Sequence, residues 1–245
     1  MTFERKRGQS LWSQIVTRLV KDIESGHYQR EERLPTEAQL AEAYGVNRHT
    51  IRRALEELAN ARIIRTEHGR GSFVNDEVLD YHIGARPRFS EWVRRQNRTP
   101  LGDVLELVEL ELGTLPEAAA AGAALGVTPE TRIILLERVG RADDKPLSLS
   151  RNIFPAAKLP GLLPALKNNN SITAALAMIG VHDYTRRWTR VSARLPDSRE
   201  ARLLRMARND ALLTTEALDQ SQAGEALGFA STAFPSTRVQ LVFES

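Results

Sequence analysis

The chain contains no cysteine in its 245 residues. That excludes a disulfide framework, a thiolate metal site and a cysteine nucleophile, and it fits a reducing compartment. Long apolar runs are also missing, and none approaches the ~20 residues that a membrane span needs. The opening residues, MTFERKRGQS, are charged and lack the apolar core of a secretory signal. The expectation is a soluble cytoplasmic protein with no membrane partner. Histidine is scarce: His27, His49, His68, His82 and His182 are scattered without metal-ligand spacing. No G-x-S-x-G elbow and no phosphate-binding glycine loop occurs. The sequence therefore points to a non-enzyme without metal or cofactor.

What is present is an ordinary globular balance, 42% hydrophobic and 27% charged, enough for one large domain or two ordinary ones. The net charge of +3 is too small to argue for a partner by itself. Its placement says more: residues 1–75 hold 13 Lys and Arg against 10 Asp and Glu, while the remainder holds 21 of each. The whole positive excess lies in the N-terminal third, a weak pointer to nucleic acid there.

Leu11, Trp12, Ile15, Val16, Leu19, Val20 and Ile23 recur at helical spacing up to Gly26. Thr36 followed by Gln39 forms a capping box that predicts a short helix up to Tyr44, stopped at Gly45. Asn47 then reads as the N-cap of a third helix with Ile51, Ala54, Leu55 and Leu58 as its buried stripe. Residues 63–66 and 71–74 read as two short strands joined at Glu67-His68-Gly69-Arg70. Helix, helix, glycine turn, helix and hairpin is the order of a winged helix-turn-helix.

Arg48 and Arg52 lie four residues apart, so they share one helix face, opposite the apolar stripe. Arginine can be bidentate to guanine, and Asn or His can add a polar base contact. As a lone feature this is any solvated helix face. The glycine-flanked basic hairpin tip, suited to a minor groove or to phosphates, tips the balance toward DNA. Thr36, Glu37, Asn47, Arg48, His49, Thr50, Arg52, Arg53, His68, Gly69 and Arg70 make up the expected DNA surface.

Three stretches carry a family resemblance: Leu34-Pro35-Thr36-Glu37 with Leu40-Ala41, Gly45 to Leu58, and His68-Gly69 with Gly71, Phe73 and Val74. Residues 9–75 resemble the GntR family of bacterial regulators. The resemblance implies DNA contacts from Arg48, His49, Thr50 and Arg52 on the recognition helix and from His68 and Gly69 on the wing. A DNA-contacting arginine of several members falls at Ala38 here, so that contact is not expected.

From residue 88 the pattern becomes mixed α and β, after a stretch at 76–87 that reads as a linker. Strands are expected over 104–112, 132–141, 147–154, 187–193, 212–220, 227–234 and 239–243, with helices over 116–125, 171–179 and 198–207. Arg88-Phe89-Ser90-Glu91, residues 138–146, Ser171-Ile172-Thr173 and residues 231–238 resemble the UTRA effector domain of the HutC subfamily. The implied fold class is α+β: a winged helix-turn-helix over 1–75 and a chorismate-lyase-like antiparallel sheet with helices over 88–245. By that resemblance the ligand positions are Phe89, Ser90, Arg138, Ser150, Ser171 and Thr173. As plain residues, Ser90 and Ser171 could equally be helix caps and Arg138 a surface charge. A glutamate that sugar-phosphate-binding relatives use falls at Ser150, and a second common glutamate falls at Gly228; losing both argues against a hexosamine-type ligand and is compatible with a smaller anion such as a phosphonate or phosphate ester. Residues 46–50, 85–90 and 190–194 resemble the branch that regulates phosphonate-utilisation genes. The expected partners are a palindromic double-stranded operator, a small anionic effector and a second copy in a homodimer. The alternatives are a regulator of another catabolic operon (histidine/urocanate or sugar), an enzyme with a lyase-like domain, and a DNA-binding architectural protein without a ligand. The arginines between 186 and 208 read as a solvated basic region rather than a DNA site.

Overall fold

The computed structural model describes residues 10–67, 69–75, 78–84, 89–95, 99–169 and 171–243. The chain divides between residues 77 and 78 into two compact units.

In the first unit, α1 (Leu11–Glu24) begins at Ser10, whose side chain accepts the Ser13 N–H. Helix α2 (Glu37–Tyr44) begins with the Thr36–Gln39 capping box and closes on Gly45, whose left-handed backbone (φ 64°) returns its N–H to Ala41 and Glu42 carbonyls. Helix α3 (Arg48–Asn60) begins at Asn47. Its stripe of Ile51, Ala54, Leu55 and Leu58 is buried with Ile15 and Leu19 of α1 and Leu40 of α2. Strands β1 (Ile64–Glu67) and β2 (Gly71–Val74) pair antiparallel. Ile64 faces Val74 across the ladder, and both enter the same core, which fixes the hairpin to the helices. Each fully buried Ile or Leu contributes about 1.5–3 kcal/mol.

The second unit is built on six antiparallel strands, β4 (Pro100–Glu111), β5 (Arg132–Ala142), β6 (Lys145–Pro155), β7 (Tyr184–Arg194), β8 (Leu212–Ser221) and β9 (Ala226–Pro235). Their order in the sheet is β4-β5-β6-β9-β8-β7. Strand alternation sends Ile134 and Leu136 to one face and Ile133 and Leu135 to the other. The first face packs on α6 (Leu162–Lys167) and α7 (Ile172–Met178) through Leu162, Leu166 and Leu176. At the other end of that face, Phe234 packs with Trp92 and Val93 of α4 (Phe89–Arg95). The opposite face carries α5 (Ala118–Leu125), with Ala121 and Leu125 against Ile133, Leu135 and Phe229. Beside it, α8 (Ser198–Leu203) is tied to the sheet by Arg199, whose guanidinium donates to the buried Glu137 carboxylate at 2.9 and 2.5 Å.

Three expectations need correction. The 76–87 stretch is not all linker: Leu79–His82 forms β3, which pairs in parallel with β10 (Val239–Val242). Its alternation is only four residues long, and its partner lies some 160 residues away, so no local signal marks it. Helix α6 was not expected, because LLPALK is short and holds a proline; Pro164 sits in the first turn, where its missing N–H costs nothing. Helix α8 stops at Leu203 rather than 207, where Arg205 turns left-handed (φ 48°).

Candidate DNA surface and effector cavity

The recognition helix presents Arg48, His49, Arg52 and Arg53 as exposed side chains, with Thr50 half-buried. Asn47 Oδ1 accepts both the Thr50 N–H (2.8 Å) and the Thr50 hydroxyl (2.9 Å). Asn47 and Thr50 are thus engaged in the cap that starts the helix. Thr36 does the same for α2: its hydroxyl accepts the Gln39 N–H while Gln39 Oε1 accepts the Thr36 N–H. Glu37 takes Arg52 bidentately, at 3.3 Å from Nε and 3.0 Å from Nη2. The carboxylate raises the Arg52 pKa through this hydrogen bond and holds a flexible guanidinium in one orientation. Arg53 faces the other way, 4.6 Å above the Trp12 ring of α1.

At the wing tip, Gly69 is left-handed (φ 72°) with open space where a Cβ would stand. Arg70 is 74% exposed and pairs with Glu67 at 2.5 Å. Gly71 is left-handed too (φ 110°), and a Cβ there would lie 2.9 Å from Arg33 Nε, so Arg33 passes beneath the hairpin. His68 lies outside the described residues.

In the second unit, one cavity of about 440 Å³ opens on the sheet face between α7 and α4. Phe89, Arg138, Ser150, Ser171 and Thr173 all line it. The side chain of Ser90 lies outside the described residues. The register explains the convergence: Arg138 pairs with Ser150, Ser150 with Thr232, and Thr232 with Thr215. These four side chains form one row across neighbouring strands spaced ~4.8 Å apart. Arg138 is half-buried. Burial pushes its guanidinium below the ordinary value, partly offset by the Tyr81 and Tyr184 hydroxyls. Two expected ligand hydroxyls have partners within the fold. Ser171 accepts the Ala174 N–H at 3.3 Å as the cap of α7, and Thr173 meets the Tyr184 hydroxyl at 3.1 Å.

Sequence reasoning missed four contributors. Tyr81 comes from β3, in the stretch taken for linker, and meets Trp92 edge-to-face and Phe234 at a tilt. Burial raises its hydroxyl pKa. Arg186, grouped with solvated arginines, lines the cavity and donates from Nε to Asp219 at 2.6 Å. Burial raises the Asp219 carboxyl, and Arg186 pulls it back. Asn152 donates to the Ser150 hydroxyl at 3.3 Å. Only pairing across strands brings these residues together. With Arg94 and Glu91, the lining holds three guanidiniums and two carboxylates, an excess of one positive charge.

A helix-turn-helix with a wing, followed by a sheet domain with a small-molecule-sized cavity, defines a DNA-binding regulator with a second domain able to hold a small molecule. Residues 11–74 match the gntR family of bacterial regulatory proteins, and residues 102–240 match the UTRA domain. An uncharacterized HTH-type transcriptional regulator of Rhizobium meliloti is 33% identical over 243 residues, covering 99% of this chain and 98% of that one. The probable transcriptional regulator PhnF of Escherichia coli is 27% identical over 208 residues, 85% of this chain and 83% of its own. The crystal structure of PhnF from Mycobacterium smegmatis shares the fold with a TM-score of 0.64, at 22% identity, over 96% of this chain and 99% of that one. The chain belongs to the GntR family, in the HutC subfamily that joins the gntR DNA-binding domain to a UTRA domain.

Proposed function

We propose that the protein is a repressor that binds a palindromic operator as a homodimer and responds to a small anionic effector held in the sheet cavity. The observation that carries the effector reading is Arg138, a half-buried guanidinium on the cavity floor beside the Ser150 hydroxyl. A half-buried cation next to hydroxyls is the chemistry that recognises a phosphonate, phosphate ester or carboxylate. Arg48, His49 and Arg52 read base edges in this account, and Gly69 and Arg70 follow the backbone, with His68 assigned there by family resemblance. Glu37 acts through Arg52, while Thr36 and Asn47 fix the helix starts and hold their neighbours against the DNA. Arg53, stacked on Trp12, reaches phosphate at most.

The regulon we assign is phosphonate use, on the resemblance of residues 46–50 and 190–194 to regulators of that class and on the match to PhnF. The protein works in the cytoplasm, where its operator lies, and binds its effector without turning it over. Sequencing DNA fragments selected by the purified chain tests the reading. Inverted repeats beside phosphonate-use genes are expected. Recovery of random sequence would refute an operator, and repeats beside unrelated genes would refute the regulon.

A further inference from the structure

Gly228 in the cavity lining, and Gly140, which pairs with the lining residue Ser148, are explained by close approach rather than by backbone angle, since neither has a left-handed φ. A Cβ at Gly228 would lie 2.8 Å from two ring carbons of Phe154. A Cβ at Gly140 would lie 2.6 Å from the Phe89 ring and 2.5 Å from the Ser148 hydroxyl. Each phenyl ring therefore occupies the space of a missing side chain. The register sets these rings on either side of the polar row. Gly140 pairs with Ser148, two residues along β6 from Ser150, while Phe154 is four residues along in the other direction. At the rise of a strand these offsets are ~7 and ~13 Å. The Arg138–Ser150–Thr232–Thr215 row is thus bracketed by aromatic walls, with Tyr81 and Phe234 beside Phe89.

A bare phosphate fills only the polar row. A ligand with an apolar body also covers the Phe154 ring, burying apolar area that a bare phosphate leaves open. We propose that the effector is an amphipathic anion, a phosphonate or phosphate ester whose acid group sits on the Arg138 row and whose flat apolar body lies along Phe154 above Gly228. Phe154 and Gly228 are then the residues that set specificity. This inference rests on the anion reading of Arg138.

The test is calorimetric titration of the full chain with inorganic phosphate, methylphosphonate and phenylphosphonate. Phenylphosphonate is expected to bind ~10-fold or more tighter than methylphosphonate, the equivalent of burying much of one ring. Phe154→Ala should bring that ratio close to one. Phe154→Leu, which keeps most of the volume, should lower the ratio too and serves if the alanine variant fails to fold. Arg138→Gln should weaken all three ligands together. Methylphosphonate binding as tightly as phenylphosphonate, or a preference that survives both Phe154 variants, overturns the amphipathic effector while leaving the anion reading intact. Failure of all three to bind, or indifference to Arg138→Gln, overturns the anion reading and this inference with it.

Discussion

Replacing Arg138 by Met should stabilise the effector unit while abolishing its response to anions. Burial is the largest influence on the Arg138 guanidinium and lowers its pKa, so folding opposes its charge. Arginine stays protonated at any ordinary pH, so the cost is a constant desolvation penalty with no pH window. Desolvating a charge costs several kcal/mol, a cost that an apolar side chain of similar volume does not carry, and the contacts Arg138 makes in the fold offset part of it. Arg138 is half-buried, so solvent screening reduces the gain to about 1–2 kcal/mol. A unit of this size shifts its midpoint by ~2–4 °C per kcal/mol, which gives a rise of ~2–8 °C. Scanning calorimetry of the full chain reads it, with the effector-unit transition followed separately from that of the winged helix. A ligand at a hundred times its dissociation constant adds ~2.7 kcal/mol to the wild type, and this gain should vanish in the variant. A loss of more than ~1 kcal/mol on substitution would refute the reasoning, because Arg138 would then be a structural tie rather than a charge kept for a ligand.

Arg48→Ala should cost operator binding ~1–3 kcal/mol and relax base preference, while Arg70→Ala weakens all DNA evenly and lowers the salt slope by about one. Anisotropy titrations on operator and scrambled duplexes separate the two, and equal effects on both duplexes for both variants would contradict the assignment. Asn47→Ala removes the cap at the head of the recognition helix and should cost ~1 kcal/mol of stability, with Asn47→Asp largely restoring it in urea unfolding. Asp219 has a raised carboxyl pKa, so the folded state binds its proton more readily than the unfolded chain does. Stability should therefore fall as pH rises from the unfolded value near 4 toward the raised folded value. Asp219→Asn should flatten that fall, and an unchanged pH profile would show that the carboxyl does not titrate as described.

Local signals carried the first unit almost to the residue. The Thr36–Gln39 box and Gly45 bound α2, and the 3.6-residue spacing of Ile51, Ala54, Leu55 and Leu58 orients α3. What a helix face does with its charges was less legible. Spacing placed Arg48 and Arg52 on one side, but the Glu37 clamp on Arg52 joins two helices, and Arg53 turned to Trp12. In the second unit most strands could be read from runs of apolar residues. The cavity could not, because its floor is a row that exists only once β5, β6, β9 and β8 are in register. Arg186 and Tyr81 became wall residues through pairing with distant strands, β8 for one and β10 for the other. Gly228 read as a lost carboxylate, and the structure adds that the Phe154 ring has taken its space.

We propose that an anion in the UTRA cavity controls DNA binding by the winged helix. The most direct test is operator affinity measured at rising phenylphosphonate concentration, for the wild type and for Arg138→Gln. The account predicts a 5- to 150-fold loss of operator affinity at ligand saturation, the usual range of such coupling, and no loss in the variant. Operator affinity that stays constant while calorimetry shows the cavity filled would contradict it.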